Sequence, residues 1–319
     1  MTGSDPVKTI NYQAHADSGV QVAAFYRFTE LENIEILQAE IRAVCQQAGL
    51  MGTILLAAEG INGTVAGTIE GVGKLFRHLR KYPGLENLDN RLTYCSLNPF
   101  YRMKVRLKKE IVTLGVEGLD PGRDAGRYVA PEFWNDLISQ PDVRLIDTQN
   151  DYEVGLGSFA GAENPGTRSF RDFPGWVEAN LDEDKNQKIA MFCTGGIRCE
   201  KSTAYLKDLG YKNVYHLQGG ILNYLAKVAV DESMWQGDCF VFDNRVTVDH
   251  NLCEGRYELC PACRMPLSEE DRRSPGFELN VSCPSCHERL TPERRASLEE
   301  RGRQIELAAA RGEKHIGSR

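Results

Sequence analysis

Apolar positions recur along this chain with two periods, and the order of those periods predicts its elements. Residues 20–28 form an apolar, aromatic run that predicts a strand, after which Ile34, Leu37, Ile41, Val44 and Ala48 repeat at helical spacing up to Gly49. Two strands are expected over 52–58 and 64–66, joined by a turn at Gly60-Ile61-Asn62-Gly63, where Asn-Gly favours the positive φ of tight hairpins. Val72, Leu75, Phe76 and Leu79 mark a second helix, and residues 91–97 a further strand. The order βαββαβ is that of a ferredoxin-like domain, expected over 20–115 behind an N-terminal extension at 1–19.

Met103, Val105 and Leu107 then alternate with Lys104, Arg106 and Lys108, so a strand here has one apolar face and one row of cations. Such a row serves either to protect a sheet edge from pairing or to face nucleic acid, and both readings stand. Tyr101 lies just ahead of it. A glycine-rich stretch with Pro121, 116–127, reads as a linker. From 128 to 230 the pattern changes: helix over 131–138, strands over 143–147 and 188–192, helix over 200–209, strand over 213–217, and a helix from Ile221 after Gly219-Gly220. Strands separated by helices imply a mostly parallel sheet, so the fold class is α/β. The remainder, 231–319, has short apolar stretches, paired cysteines and a charged helical stretch at 292–312. Arg294, Arg295, Arg301 and Arg303 give that helix a basic character, although a solvated, salt-bridged helix is the plainer interpretation.

Composition narrows the class. With 41% apolar and 26% charged residues among 319, and no apolar run near the ~18 residues of a membrane span, the chain reads as a soluble protein of two or three units. The first residues carry Asp5, His15 and Asp17 and no basic head before an apolar run, so a cytoplasmic location with reduced thiols is expected. Ten cysteines in that setting point to metal binding or catalysis more than to disulfides; Cys45 and Cys95 read as core residues. A net charge of −7 argues against indiscriminate binding of polyanions but leaves local basic surfaces possible.

The segment with most chemistry is Ile189-Ala190-Met191-Phe192-Cys193-Thr194-Gly195-Gly196-Ile197-Arg198-Cys199. An apolar strand delivers Cys193 to a sheet edge, two glycines let the chain curl, and a helix follows. In the loop Thr194, Gly195, Gly196, Ile197 and Arg198, inward N–H groups, the helix N-terminus and the guanidinium all favour thiolate over a thiol of pKa about 8.5. Cys193 is therefore the expected nucleophile, held ionised and exposed at the edge where open parallel sheets bind ligands. A phosphatase loop keeps one more residue between cysteine and arginine than the four here, so this tighter ring suits a sulfur or a small oxyanion. Cys199 is either a resolving thiol or a packing residue; Glu200 and Lys201 are expected to cap and solvate the helix.

Near the end, Cys260-Pro261-Ala262-Cys263 and Cys283-Pro284-Ser285-Cys286 are two knuckles separated by 19 residues. That spacing fits a four-thiolate structural zinc site, with sulfurs about 2.3 Å from the ion; His287 would be a neighbour, and Cys239 and Cys253 packing residues. No flavin or nicotinamide fingerprint is present, nor a clear two-histidine-one-carboxylate set.

The middle of the chain resembles the rhodanese superfamily, in Asp147, Tyr152-Glu153, Gly157, Phe159, Gly161-Ala162, Asn164-Pro165, the Cys193 loop and Leu217-Gln218-Gly219-Gly220. It departs from that pattern at Thr148-Gln149 and Thr194, where rhodaneses often carry arginine. A closer resemblance is to the bacterial tRNA uridine hydroxylase family. It rests on Leu56-Ala57-Ala58-Glu59-Gly60-Ile61-Asn62-Gly63-Thr64-Val65-Ala66-Gly67, Lys109-Glu110-Ile111-Val112-Thr113-Leu114-Gly115, the Cys193 to Lys201 segment and Phe240-Val241-Phe242-Asp243. The resemblance implies an acylphosphatase-like N-terminal domain, a rhodanese domain and a cysteine-containing tail. It also implies hydroxylation of the wobble uridine in the anticodon region of tRNA to 5-hydroxyuridine, with molecular oxygen as co-substrate and the essential cysteine at Cys193. The alternative is a persulfide sulfurtransferase using the same loop; a spent rhodanese fold that only binds RNA is disfavoured by the intact Cys193 and Arg198.

Overall fold

The computed structural model describes residues 19–181 and 183–313; the extension expected at 1–19 falls almost wholly outside them. Strands β1 (Val20–Phe28), β2 (Met51–Ala57), β3 (Gly60–Gly67), β4 (Arg91–Cys95) and β5 (Met103–Leu107) form one sheet in the order β4-β1-β3-β2-β5. The first four are the antiparallel ferredoxin-like set, and β5 joins parallel to β2 at the edge. Helices α1 (Ile34–Gln47) and α2 (Ile69–Leu79) cover one face, where Leu37, Ile41, Leu75 and Phe76 meet Phe25, Ile54 and Val65. The β5 edge is partly closed by α1: Gln38 Nε2 and Arg42 Nη2 donate to the Val105 carbonyl at 2.8 and 3.2 Å.

The hairpin turn differs from expectation. Ala57 pairs with Gly60, so the turn is Ala58-Glu59, and Gly60 to Gly63 are strand residues. Gly63 serves close packing, since a Cβ there would stand 2.8 Å from Phe25 Cζ. Asn62 spends its amide on the Ile111 carbonyl at 2.9 Å, and Glu59 accepts from the Ile111 N–H at 2.6 Å. Tertiary contacts thus outvote the Asn-Gly turn preference.

The second sheet, β6 (Arg127–Val129), β7 (Val143–Asp147), β9 (Lys188–Phe192) and β10 (Asn213–Leu217), is parallel throughout in the order β6-β10-β9-β7; β8 (Gly157–Phe159) lies apart, paired with a later ribbon strand. Both faces are covered, as an all-parallel sheet requires. Ile189, Met191 and Cys193 point to the layer of α4 (Phe173–Asn180) and α5 (Ile197–Asp208), while Ala190 and Phe192 point to that of α3 (Pro131–Ile138) and α6 (Gly220–Lys227). The expected linker contains a helical turn, Pro121–Asp124, and the Gly126 N–H donates to Thr203 Oγ1 on α5 at 2.8 Å.

Tyr26, Phe28, Ala57 and Ile111 on the far face of the first sheet pack against Ile197 at the start of α5, so the two domains share a small core beside the Cys193 loop. The final region adds short ribbons and α7 (Pro292–Ala310). Arg295 pairs with Glu278, and Arg303 with Glu300 at 2.9 Å, which bears out the salt-bridged reading for those two arginines. Among the described residues no helix is long and apolar enough to cross a membrane, and no disulfide is formed.

Candidate active site and four-cysteine centre

Strand β9 ends at Phe192, whose carbonyl accepts from both the N–H and the hydroxyl of Thr148, at 3.0 and 2.8 Å. The chain then turns through Gly196, at φ +96°, into α5, three residues earlier than the spacing suggested. Gly220 underpins this curl. At φ +68°, a Cβ there would lie 2.5 Å from the Cys193 carbonyl oxygen, 2.6 Å from the Gly196 nitrogen and 2.7 Å from the Thr194 oxygen. The Ile221 and Leu222 N–H groups then hold the Cys193 and Thr194 carbonyls at 3.0 and 3.1 Å. The two glycine pairs of the sequence are thus the two halves of one loop.

Within it the Gly196 N–H donates to Cys193 Sγ at 3.1 Å. Burial alone would raise the Cys193 pKa, but a hydrogen bond from the Cys199 thiol, the Arg198 charge and the Cys199 and Arg198 N–H groups reverse this and hold it well below its ordinary value. Cys199 is pushed well up by its own burial and by Cys193, so it is the proton donor of the pair. Arg198 contributes less freely than expected. Its guanidinium is bidentate to Glu153, at 2.7 and 2.8 Å, and also reaches Thr194 Oγ1 at 3.2 Å. Thr194 and Gln149, which replace expected arginines, complete this buried network, with Gln149 Nε2 donating to Thr194 Oγ1 at 3.1 Å.

One expectation is corrected outright: Cys193 is 0% exposed. The Gly196 N–H and Cys199 face the sulfur, Tyr26 of the neighbouring domain stands against Gly196, and Gly195 is the half-buried residue of the loop, with nothing within 4 Å of where a Cβ would stand.

Glu200 and Lys201 are a second correction, since both are buried rather than solvated. Lys201 Nζ lies 2.8 Å from Glu59 and 2.6 Å from Glu110, both on the N-terminal domain. Glu200 accepts from the Tyr26 hydroxyl at 2.7 Å. Burial lifts the Glu200 carboxyl above its ordinary range, the hydroxyls of Tyr26 and Tyr128 pull against this, and the charge of Cys193 lifts it further. Three motifs far apart in sequence therefore converge on the helix that follows the Cys193 loop. Their signal was present as glutamates inside glycine-rich or apolar segments.

Lys104 and Tyr101 line a cleft of about 650 Å³ together with Arg102, Tyr152, Phe242, Arg264 and Arg301. Partial burial, with the charges of Arg102, Arg106 and Arg264 nearby, lowers the Lys104 pKa, the mark of cations crowded together. Arg106 and Lys108 are exposed but do not line the cleft.

The sulfurs of Cys260, Cys263, Cys283 and Cys286 lie within 4.8 Å of one another. Neighbouring pairs are 3.9 Å (Cys260 and Cys286), 3.6 Å (Cys263 and Cys283) and 3.8 Å (Cys283 and Cys286) apart. A tetrahedron of thiolates about 2.3 Å from zinc has edges of about 3.8 Å, so the four residues fit such an ion. His287, Cys239 and Cys253 stand outside the group. The purified chain is expected to carry one zinc, and chelation to raise by four the thiols that react with a chromogenic disulfide reagent; an unchanged thiol count would remove the metal assignment.

Comparison with known proteins adds the family. Residues 20–111 match the UPF0176 acylphosphatase like domain, and 130–227 the rhodanese-like domain. Among solved structures, a rhodanese-like domain from Anabaena aligns at 16% identity over 34% of this chain and 78% of its own, with a TM-score of 0.29. An acylphosphatase from Coxiella burnetii aligns at 9% over 28% of this chain and 96% of its own, with a TM-score of 0.22. Neither score carries weight by itself. A tRNA uridine(34) hydroxylase from Teredinibacter turnerae, however, is 55% identical over 298 residues, 93% of each chain. Since that match covers 93% of each chain, the chain belongs to the tRNA uridine(34) hydroxylase family of enzymes.

Proposed function

We propose that this chain hydroxylates uridine 34 of tRNA at C5, with dioxygen as co-substrate and Cys193 as nucleophile. The observation that carries the proposal is the Cys193 sulfur, whose thiolate the Cys199 thiol, the Arg198 charge and the loop N–H groups favour, in a chain similar over 93% of its length to a tRNA uridine(34) hydroxylase.

Uracil is electrophilic at C6. Addition of the Cys193 thiolate there places an electron pair on C5 as an enolate, which attacks an electrophilic oxygen. Loss of the C5 proton with expulsion of the thiolate from C6 then restores the C5–C6 double bond as 5-hydroxyuracil and frees the enzyme. One oxygen atom enters the base, and the other leaves as water with two electrons from a reductant and two protons. Glu200 and Tyr26, hydrogen-bonded beside the loop, are the groups placed to carry the C5 proton. Cys199 supplies a hydrogen bond to the resting thiolate and is the resolving thiol if Cys193 is oxidised. The cleft with Lys104 receives the anticodon arm, with Arg106 and Lys108 as outer contacts, and cytoplasmic tRNA is the substrate pool.

The persulfide sulfurtransferase remains the second reading, favoured by the enclosure of Cys193: an added outer sulfur would extend about 2 Å beyond the buried one. Nucleoside mass spectrometry on tRNA from a strain lacking the chain separates them. Loss of the uridine species heavier by one oxygen is expected; loss of thiolated nucleosides instead would support sulfur transfer, and no change would end both.

A further inference from the structure

We propose that Phe242 is the platform on which the target nucleobase stacks when RNA occupies the cleft. The inference rests on the function proposed above and adds a residue to it. Phe242 belongs to the Phe240 to Asp243 motif, which the chemistry at Cys193 leaves unused. Phe242 is 60% exposed, yet the turn that bears it is pinned by hydrogen bonds. Arg245, itself buried, holds Asp243 through two nitrogens at 2.9 and 2.6 Å and reaches Thr93 Oγ1 on β4 at 2.7 Å. The Asn244 N–H donates to the Pro99 carbonyl at 3.0 Å. Val246 sits at φ +65°, a region costly for a β-branched residue. A strained, pinned turn that holds an apolar ring in water is not explained by packing, because the ring buries little.

Its surroundings explain it. Phe240 meets the ring edge-on at 5.1 Å and is itself edge-on to Tyr152 at 5.3 Å, which fixes the ring's tilt. The Arg198 guanidinium lies 5.7 Å from the ring centroid, so Phe242 stands at the rim of the Cys193 loop. The same cleft carries Arg102, Lys104, Arg264 and Arg301. An exposed ring beside a cationic wall suits a single-stranded nucleotide, with base on ring and phosphates on cations, better than an apolar peptide.

Fluorescence anisotropy on the full chain tests this, using a uridine-34 anticodon stem-loop and the same RNA abasic at position 34. Phe242→Ala is expected to weaken binding of the uridine RNA about 5- to 100-fold and to leave the abasic RNA unchanged. Phe242→Trp restores binding and Phe242→Leu, apolar without a ring, does not. An unshifted melting temperature for Phe242→Ala confirms that the ring serves no packing role. Equal weakening of both RNAs, or no weakening of either, overturns the proposal while leaving the substrate intact. A native chain that fails to bind the uridine stem-loop overturns the substrate reading, and this inference with it.

Discussion

Replacing Cys193 by serine is expected to lower formation of 5-hydroxyuridine by at least about 10³-fold, because a serine hydroxyl is not ionised at neutral pH and loss of a nucleophile costs enzymes up to about 10⁶. The substitution is nearly isosteric, and the Gly196 and Cys199 donors that face the sulfur can bond an oxygen equally well, so the fold is expected to persist. Two measurements check it: single-turnover product by nucleoside mass spectrometry, and trapping of an RNA–protein adduct that the serine variant no longer forms. Full hydroxylation by Cys193→Ser would end the covalent mechanism. The neighbouring thiol is not expected to take over. Cys199 is buried, and that burial, the largest cause of its raised pKa, persists when Cys193 is replaced.

Lys201→Met is expected to destabilise the chain by about 3 kcal/mol. The native ammonium is 3% exposed and lies between Glu59 and Glu110, and its loss strands two carboxylates. Each keeps about a fifth of its side chain in water (22% and 20%), which places the cost at the low end for a broken buried pair. Adding Glu59→Gln and Glu110→Gln to Lys201→Met should recover part of the loss, since no uncompensated charge then remains. Denaturant unfolding of the three proteins measures both effects. A single variant as stable as the native chain would show that the pair contributes nothing. Because Glu59 also accepts from Ile111 and Glu110 from the Leu114 N–H at 3.0 Å, the same substitution should loosen the stretch that joins the two domains.

Elements with strong local periodicity were legible in the sequence. The βαββαβ order, the parallel sheet and the two cysteine knuckles follow from alternation, helical spacing and ligand spacing, which act over a few residues. The curl after Cys193 was legible for the same reason. What escaped depends on residues far apart. Nothing in Glu59, Glu110 and Lys201 taken singly announces burial, since charged side chains are buried only when paired and the partners lie 91 positions apart for the Glu110 bond. The Cys193 loop is also packed by a second domain, with Tyr26 laid against Gly196, which the loop motif does not encode. The hairpin turn was misplaced because Asn62 and Glu59 answer to Ile111, a contact across 49 and 52 residues, before they answer to local turn preference. Of the cationic row, only Lys104 reached the cleft; the row was read correctly as a face, but which part of that face borders a groove is set by the C-terminal region.

That region makes Cys263, Arg264 and Met265 one side of the groove, so part of the cleft proposed to receive RNA is mounted directly on the four-cysteine cluster. If zinc holds that cluster, a cell short of the metal, or under oxidants that attack zinc thiolates, would deform this cleft while the enclosed Cys193 stayed chemically intact. On the proposed function, substrate capture would then fail before chemistry did, and wobble modification would track metal supply.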